Sequence, residues 1–534
     1  MRWPNPSLFT RSKPNPLQRR FLQFEALEDR LTPAGFFLTG VGGVTDPIQP
    51  NVRIYDSSIV SGGSTTFLNP PGDIGAFSNF GGSVRVANGD VNGDGIDDFI
   101  TAQGGGAGSG SQVNIYDGAS ALFSGTSVLI SSFYAYSDSA GASQNPGFAG
   151  GVFVAAADLN GDGFAELVVS AGAGARGHIK VFNFNDGSGN FLGSAPELRS
   201  SFFAYTDFAG EIRVTTLKAG PTTYIVTGSG AGTSQSDVRF YQGAFDIGQV
   251  PDLTFLVPAA QIFPFAGYTG GVSVAAGDTD RDGVDELFVS KNSGTSTVDV
   301  FDIRDLTSPK YQFAAFGGFN GEVRLGAADV DGDGKVEVLT STGDSPGAGG
   351  AHVKAWSLTG GPTTLRSFFA YEGYSQGVFL STNDFHWKQS FYNTTTVTIP
   401  DNNVISTSIV VDARTSDDVH LRPKTITVSL NIAGTSNSDL DVFIQGTNAV
   451  QVELFSGVNG NGHGMQIQLT DSATTSIVDA PVGGLLTGTF RPDNLSLIDT
   501  YGTASVAGTW YVNVRDHATG NVSQLLGWGV TFTF

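Results

Sequence analysis

Residues 158–172 read DLNGDGFAELVVSAG. Acidic or amide side chains occupy the alternate positions Asp158, Asn160 and Asp162, and Glu166 begins a run rich in Val. The first half is typical of a calcium-binding loop, because alternate side chains of a tight turn direct their oxygens towards one point. The second half is typical of a buried strand. Four interpretations of the stretch are open: a structural metal-binding loop, a calcium sensor, a catalytic carboxylate cluster and a plain polar turn.

The stretch belongs to an internal repeat. GGVFVAAADLNGDGFAELVVSAGAG resembles GGSVRVANGDVNGDGIDDFITAQGGG, GGVSVAAGDTDRDGVDELFVSKNSG and GEVRLGAADVDGDGKVEVLTSTGDS. The first aspartates of these copies, in chain order, are Asp90, Asp158, Asp278 and Asp329. The interval between the second and the third is about twice as long as the others, as expected when one copy has degenerated. That copy is GEIRVTTLKAGPTTYIVTGSGAG, with Lys218, Gly220 and Thr222 in place of the acids.

Each unit contains four predicted strands. An aromatic strand such as SSFFAYT (200–206) comes first, then a GGVxVAA strand, the acidic turn with its ELVVSAG strand, and a last strand such as IKVFN (179–183). Four strands per unit are typical of a β-propeller blade. Residues 37–56 read as the last two strands of a unit and residues 366–384 as the first two, which predicts one composite blade. Five continuous blades and this one predict a six-bladed β-propeller over residues 35–384 of an all-β protein.

These units resemble the FG-GAP (VCBS-type) repeats of bacterial surface proteins and the related repeats of integrin α-chain propellers. The resemblance rests on four D-x-[ND]-x-D-G-x-x-[DE] loops, each followed by a strand rich in Val, Leu or Phe. It implies a calcium-stabilised propeller that serves in adhesion or recognition more often than in catalysis.

The loops offer the ligands that calcium prefers, which are about six to eight oxygens. The side chains at positions 1, 3, 5 and 9 and the backbone carbonyl at position 7 would supply them. The predicted ligands are Asp90, Asn92, Asp94, Ile96 and Asp98; Asp158, Asn160, Asp162, Phe164 and Glu166; Asp278, Asp280, Asp282, Val284 and Glu286; and Asp329, Asp331, Asp333, Lys335 and Glu337. We expect four Ca²⁺ ions, which would offset part of the formal net charge of -22.

Spacing and recurrence discriminate among the alternatives. An EF-hand sensor needs a Glu at position 12 and flanking helices. Position 12 is instead occupied by the predicted strand residues Thr101, Val169, Val289 and Thr340. A plain polar turn would explain one copy, but four copies in the same phase favour calcium. Recurrence on successive units also favours a structural role over general acid–base catalysis by paired carboxylates.

Composition excludes several classes of protein. The acidic balance argues against a nucleic-acid partner, which would need a basic face. The chain has no Cys, so disulfides and thiolate metal sites are excluded. No apolar run reaches the length of about 18 residues needed for a transmembrane helix. No catalytic triad, zinc-binding His motif or phosphate-binding loop is recognisable, so we expect a protein that is not an enzyme.

Residues 1–34 differ from the rest of the chain. They are basic and contain several Pro residues, and they lack the apolar core of a secretory signal peptide. The segment FEALEDRLTPA (24–34) resembles an N-terminal signature of large exported proteins of planctomycete bacteria. We expect either a targeting leader or a disordered segment, and the resemblance favours export.

Residues 385–534 form a second predicted domain. Alternating stretches such as TTTVTIPDNNVISTSIVV (394–411) predict a β-sandwich. SDLDVFIQGTNAVQVELFSG, RPDNLSLIDTYGTASVAGTWYVNVRD and LLGWGVTF resemble the P domain (Homo B), the jelly-roll module of proprotein convertases. The HT dipeptide of that pattern is replaced here by Gly434 and Thr435, and no subtilisin-like segments precede the domain.

The resemblance to the P domain implies a non-catalytic module. Some members of that family bind calcium, so Asp439, Asp441 and Asp516 are possible ligands, although Asp at a strand end also commonly forms turns. Trp510 and Trp528 alternate with apolar residues, which predicts that both lie in the core.

The sequence therefore favours an exported or surface-associated bacterial binding protein, stabilised by calcium. Its propeller face would engage an extracellular protein or polysaccharide. Two alternatives remain open. One is a propeller enzyme (a lyase or hydrolase) or a non-catalytic component of a protease system, and the other is a structural protein of the cell envelope. Acids or His near the axis, opposite the calcium loops, would favour the enzyme, and aromatic side chains exposed on one rim would favour a glycan binder.

Overall fold

A computed structural model describes residues 36–43, 51–56, 73–78, 80–107, 110–124, 126–136, 148, 150–205, 208–220, 222–242, 260–331, 333–344, 350–386, 388–411, 423, 425–458, 460, 462–493, 495–502, 506–520 and 522–533. The leader predicted over residues 1–34 lies outside these ranges. The chain is all-β, because its apolar segments are short, rich in β-branched and aromatic residues, and separated by Gly, Asp and Asn turns.

Five sheets of four antiparallel strands follow one another along the repeat region. The first contains β4 (Gly81–Gly89), β5 (Asp98–Ala107), β6 (Gln112–Tyr116) and β7 (Leu129–Tyr134). The second contains β8 (Val152–Ala157), β9 (Glu166–Ala171), β10 (His178–Asn183) and β11 (Glu197–Phe203). The third contains β12 (Ile212–Ala219), β13 (Thr222–Ser229), β14 (Val238–Tyr241) and β15 (Ala260–Ile262). The fourth contains β16 (Val272–Gly277), β17 (Glu286–Lys291), β18 (Thr297–Asp302) and β19 (Tyr311–Ala314). The fifth contains β20 (Val323–Ala328), β21 (Glu337–Thr342), β22 (His352–Ser357) and β23 (Thr363–Phe369).

A sixth four-stranded sheet joins the two ends of the repeat region. Its strands, in spatial order, are β24 (Val378–Leu380), β1 (Phe36–Val41), β2 (Asn51–Asp56) and β3 (Ile74–Gly75). Strand β24 pairs with β1 in antiparallel register, with Gly40 opposite Phe379. The hydroxyl of Tyr371 adds a hydrogen bond of 3.0 Å to the carbonyl oxygen of Thr39. The sheet therefore ties together segments that lie more than 300 residues apart in sequence.

The predicted division into units is wrong by one strand. The aromatic strand is the fourth strand of the preceding sheet and does not open the next one: SSFFAYT (200–206) contributes to β11, which pairs with β10. For the same reason RSFFAYE (366–372) belongs to the fifth sheet and not to the sheet that joins the ends. Periodicity defines the repeat, but it does not show which neighbouring strand supplies the backbone hydrogen bonds.

The six sheets pack side by side in a propeller-like arrangement. Successive first strands contact one another from β4 through β8, β12, β16 and β20 to β24, and β24 contacts β4 again. Separate cores lie between neighbouring sheets, as in the cluster that combines Ile100 with Val154 and Leu167. Strands β8 and β9 are buried along nearly their whole length because both of their faces pack against neighbouring sheets.

The C-terminal region contains two further antiparallel-rich sheets. The first is built from β25 (Lys388–Asn393), β26 (Val397–Ile399), β34 (Ser523–Thr533), β28 (Thr425–Ala433), β31 (Gly462–Thr470) and β32 (Gly484–Phe490). The second is built from β27 (Val404–Val411), β33 (Gly508–Asp516), β29 (Leu440–Gln445) and β30 (Gln451–Ser456). Helical structure is confined to the short segments Ser120–Ser124, Asn437–Asp439, Ile477–Asp479 and Leu497–Tyr501 (α1) among the described residues.

The two C-terminal sheets share one apolar core. Trp510 of β33 lies 5.2 Å from Phe532 of β34, measured between ring centroids. Trp510 and Trp528 are both buried, which confirms their predicted place in the core. The region also contacts the repeats: the ring of Phe385 lies 5.4 Å from Phe36 and 5.6 Å from Phe99. Apolar burial therefore links the C-terminal region to the sheet that joins the two ends of the repeat region.

Candidate functional site

The four acidic loops occupy equivalent places in four of the six sheets. Each joins the first strand of its sheet to the second: β4 to β5, β8 to β9, β16 to β17 and β20 to β21. The degenerate copy joins β12 to β13 by a short turn, in which Ala219 pairs with Thr222. The first strands lie side by side and point the same way along the ring axis. The loops that follow them therefore lie together at one end of the ring.

The loop at 158–166 shows how the chain forms this turn. The carboxylate of Asp158 accepts the N–H groups of Gly161, Asp162 and Gly163 at 2.7–3.2 Å. The carbonyl side-chain oxygen of Asn160 accepts the N–H of Asp162 at 2.8 Å. Gly163 has a φ of 89°, a left-handed conformation that glycine adopts with little strain. The carboxylate of the first aspartate thus stabilises the turn by accepting hydrogen bonds from its backbone.

The acid at position 9 lies beneath the turn. Asp98, Glu166, Glu286 and Glu337 are all buried, and each accepts the N–H of the second loop residue. For Glu166 this contact is the 2.9 Å hydrogen bond from Leu159. In the first two loops the side-chain amide of Asn92 or Asn160 donates to the other oxygen of the same carboxylate. The position-9 acid therefore holds the loop onto its own sheet.

The position-7 residues contact the loops through their N–H groups. The backbone N–H of Ile96, Phe164, Val284 and Lys335 each donates to the carboxylate at position 5, at 2.8–3.0 Å. Those carboxylates belong to Asp94, Asp162, Asp282 and Asp333. The backbone carbonyl oxygens of the position-7 residues remain predicted metal ligands. The turn itself is a regular feature of all four loops, as the common spacing predicts.

Burial makes the loop carboxylates costly to ionise. It raises the pKa of Asp90 to about 7 and that of Glu166 to about 8, and neighbouring acids add to both effects. Burial also raises the pKa of Asp98 and of Glu337 well above the ordinary range. A carboxylate that loses water without gaining a cation is unstable as the anion. A bound cation would stabilise these carboxylates as anions.

The loop at 278–286 already has cationic side chains against it. The ammonium of Lys310 lies 2.8 Å from Asp280 and 3.1 Å from Glu286. The guanidinium of Arg304 lies 2.6 Å from Asp282. In this loop position 3 is an acid and not an Asn, so Lys310 takes the place of the amide that bridges to the position-9 acid in the first two loops.

The loop at 329–337, like the loop at 278–286, has aspartates at positions 1, 3 and 5. Ligand oxygens of Asp329, Asp331 and Asp333 lie within 4.8 Å of one another, as do those of Asp278, Asp280 and Asp282 in the preceding loop. Besides burial, the charges of Asp331 and Asp329 raise the pKa of Glu337. All-oxygen donors, close spacing and desolvated carboxylates fit a hard divalent cation such as Ca²⁺.

The C-terminal aspartates have turn-forming contacts. Asp516 is fully buried and accepts the N–H of Ala518 at 3.0 Å, and Asp441 accepts the hydroxyl of Ser456 at 2.6 Å. The N–H of His517 donates to the backbone carbonyl of Asp439. These contacts agree with the turn-forming alternative, and calcium binding by this group stays a prediction.

Sequence reasoning missed a second cluster, at the ring axis. Arg85, Arg213 and Arg324 lie in first strands at the end opposite the acidic loops, and they line one cavity. A charged residue in the middle of an otherwise apolar strand, as in VRV (84–86), was the signal in the sequence that could have revealed this cluster.

Within the described ranges, the structure contains no helix with the length and apolar character of a membrane span.

Comparisons with solved structures give only weak likenesses. A serine protease of Aeromonas sobria is 13% identical with a TM-score of 0.17, over 35% of this chain and 37% of the protease. An exo-β-1,3-galactanase of Phanerochaete chrysosporium is 9% identical with a TM-score of 0.32, over 85% of this chain and 99% of the enzyme. A fructofuranosidase of Schwanniomyces occidentalis is 9% identical with a TM-score of 0.27, over 94% of this chain and 95% of the enzyme. The chain spans little more than a third of the protease.

Sequence comparison is more specific. No curated protein matches the chain. The FG-GAP repeat family matches residues 150–189, which contain strands β8 to β10 and the acidic loop between the first two. That match fits a propeller with a binding or adhesion role.

Proposed function

We propose that the chain is an exported or surface-associated, calcium-stabilised binding protein with a six-bladed β-propeller and a P-like β-sandwich. The observation that carries this proposal is the set of four loops at one end of the ring, each with a desolvated carboxylate under an Asp-rich turn. The six four-stranded sheets, one of which joins the two ends of the repeat region, and the FG-GAP match support the propeller. The shared core of the two C-terminal sheets supports the sandwich.

The calcium part of the proposal has a direct test. Melting of the full chain would be followed with 1 mM CaCl₂ and with excess EDTA, with MgCl₂ as a control. A ligand that binds only the folded state raises the melting temperature by mass action. We expect Ca²⁺ to raise it and Mg²⁺ to do so less, because magnesium demands a tighter octahedral shell. Identical melting curves with Ca²⁺ and with EDTA would sink this part of the proposal.

The binding face would be the end of the ring opposite the acidic loops. Phe203, Phe263 and Phe369 follow or end outer strands at that end and are 53%, 48% and 51% exposed. Phe203 stacks on His178 at 4.7 Å and Phe369 on His352 at 4.8 Å, so two blades present the same paired rings. Exposed aromatic rings on one rim favour a polysaccharide partner, because a flat apolar face packs against the C–H face of a sugar ring.

The axial acids do not favour the enzyme alternative. Glu211 and Glu322 lie near the axis, but each is paired with the guanidinium of Arg213, at 2.5 and 2.6 Å. Burial raises the pKa of Glu322, and the charges of Arg324 and Arg213 outweigh it and lower the pKa to about 2. A carboxylate held as an anion in this way is poorly placed to donate a proton.

The partner part of the proposal is tested with the full chain in calcium against immobilised polysaccharides. The double variant Phe203→Ala with Phe369→Ala should lose binding at least tenfold. Tyr392→Ala is the control, because Tyr392 is 64% exposed but lies on β25 of the C-terminal region. Equal loss in both variants, or turnover of a polysaccharide without retention, would contradict the proposal.

A further inference from the structure

Six equivalent strand positions converge on the ring axis. In chain order from β4 to β24 they are Arg85, Phe153, Arg213, Ser273, Arg324 and Phe379. All six line a single cavity of about 40 Å³, together with the branched apolar residue that follows each of them. Three guanidinium groups therefore alternate with two phenyl rings and a hydroxyl around one small space.

The guanidinium groups stack on the rings. The guanidinium carbon of Arg85 lies 4.3 Å from the centroid of Phe153 and 4.5 Å from that of Phe379. Arg324 lies 3.7 Å from the Phe379 centroid. Cation–π attraction at these distances holds the guanidinium groups against the rings. The cavity is thus lined by cationic donors that pack against aromatic side chains.

The three arginines differ in their acidic partners. Arg213 pairs with Glu211 and Glu322, and Arg324 pairs with Glu322 at 2.9 Å. Asp344 lies 3.3 Å from Arg324. Arg85, only 8% exposed, makes no ion pair within the described part of the chain and donates to the hydroxyl of Ser83 at 2.5 Å. Burial lowers the pKa of Arg85 to about 10, and the charges of Glu211 and Glu322 offset this effect only in part.

Several donors of the cluster remain unused. Among the described residues, Nε of Arg85, Nε of Arg213 and both Nε and Nη1 of Arg324 are buried without a hydrogen-bond acceptor. Arg324 is 5% exposed. A buried donor without a partner costs free energy that an anionic acceptor would recover. Unused donors on all three arginines that line the same cavity indicate a missing anion.

We infer that this axial cavity binds one small carboxylate anion. A carboxylate matches the fork of a guanidinium group, and Arg85 offers such a fork without an ion pair in the described part of the chain. The volume of about 40 Å³ leaves room for only a few atoms beyond the carboxylate. The apolar side chains of the lining, such as Val86 and Val154, suit a short alkyl group.

The test compares acetate with its neutral isostere acetamide. Melting of the full chain in calcium would be followed at 100 mM of each, with ionic strength held constant by sodium chloride. Acetate should raise the melting temperature by about 1–2 °C and acetamide should not. An equal rise with chloride alone would show general screening and overturn the inference.

Substitution of Arg85 makes the test specific. Arg85→Gln should abolish the shift with acetate, and Arg85→Lys, which keeps the charge but loses the fork, should reduce it. Arg199→Gln on the outer strand β11 is the matched control and should keep the full shift. An acetate shift that persists in both Arg85 variants would refute the site. The same titration with polygalacturonate should give no shift, because the cavity holds only a few atoms beyond the carboxylate, and a shift equal to that of acetate would contradict a site for a small anion. Neither result depends on the retention experiment proposed above.

Discussion

The backbone N–H of Ala165 donates to the carbonyl oxygen of Asp90 over 2.6 Å. Ala165 is position 8 of its acidic loop and Asp90 is position 1 of the loop on the preceding sheet. The same bond joins Val336 to Asp278 at 2.8 Å. The acidic loops are thus linked to one another across the sheets, in addition to being closed upon themselves.

The linkage continues where a loop has lost its acids. The N–H of Asp285 donates to the carbonyl oxygen of Lys218 at 2.8 Å, and Lys218 returns its own N–H to the carboxylate of Asp285. Between the first acidic loop and the segment that follows β24, the N–H of Asp97 donates to the carbonyl oxygen of His386. Order in one loop therefore supports the backbone of the next one.

Hydrogen exchange should reveal this linkage. We expect the amides of Ala165 and Val336 to be protected in calcium, because each is buried in a bond between sheets. Removal of calcium by EDTA should speed the exchange of both together, since each acceptor belongs to a loop that the metal would stabilise. Peptides from strand β29 in the C-terminal region provide the reference. Exchange of β29 that accelerates equally would indicate global unfolding instead.

Glu166→Gln should separate calcium binding from folding. Glu166 is buried and its pKa is raised, so a neutral amide of the same shape avoids the cost of a desolvated charge but loses the hydrogen bond that Asn160 donates. In EDTA we expect a melting temperature slightly below that of the parent chain. In calcium, the variant should lose part of the stabilisation, because an amide is a weaker ligand than a carboxylate.

The control for that variant is Glu197→Gln. Glu197 lies on the outer strand β11, with its side chain 53% exposed beside Arg199. Its replacement should leave the calcium-dependent rise unchanged. Calorimetry with and without calcium measures both variants, and an undiminished rise in Glu166→Gln would mean that loop 158–166 does not hold the ion.

Lys310→Met should make the loop at 278–286 more dependent on calcium. The ammonium of Lys310 compensates Asp280 and the buried Glu286. Its removal leaves a buried carboxylate without that cation, which should cost about 1–3 kcal/mol in EDTA. A bound Ca²⁺ would restore the compensation, so the cost should shrink when calcium is added. Lys291→Met, at the end of β17 away from this loop, is the control, and an equal cost with and without calcium would argue against a metal in this loop.

Gly40→Ala should destabilise the sheet that joins the two ends of the repeat region. A Cβ at Gly40 would stand 2.3 Å from the carbonyl oxygen of Val84 on the neighbouring strand β4, and backbone cannot yield as a side chain can. We expect a loss of about 1–3 kcal/mol in the free energy of unfolding. Gly75→Ala, in the same sheet, has no atom within 4 Å of the added Cβ and should be nearly neutral. Denaturant titration measures both, and similar losses would contradict the packing argument.

Glu322→Gln should have an effect that depends on pH. Its pKa of about 2 in the folded chain lies below the ordinary value of 4.5. A depressed folded pKa gives stability that is fully present above about pH 4.5 and is lost as the pH falls towards 2. The variant should cost about 3–5 kcal/mol at pH 7, because Arg213 and Arg324 lose a shared partner. The difference from the parent chain should narrow below pH 4.5, and a difference that stays constant down to pH 3 would refute the ion-pair assignment.

Local features of the chain were accessible from the sequence. The turn of Asp158, Asn160 and Asp162 and the strand after it depend on residues within a single hairpin, so their spacing carries the information. The same holds for the buried Trp510 and Trp528, which alternate with apolar neighbours. Where the prediction was wrong, as with the aromatic strand SSFFAYT (200–206), two neighbouring strands could supply the same hydrogen bonds.

Long-range relationships were decided only by the tertiary structure. The repeat pattern predicted that the two ends of the repeat region share one sheet, but the register that pairs Gly40 with Phe379 is not specified by any local pattern. The convergence of Arg85, Arg213 and Arg324 likewise depends on six strands meeting at one axis. The sequence by itself determined the repeat, the acidic turns and the all-β class, because each follows from short-range periodicity. The register of the closing sheet, the bonds between loops and the axial cavity arise only when distant strands pack, since their energies depend on contacts that no single repeat contains.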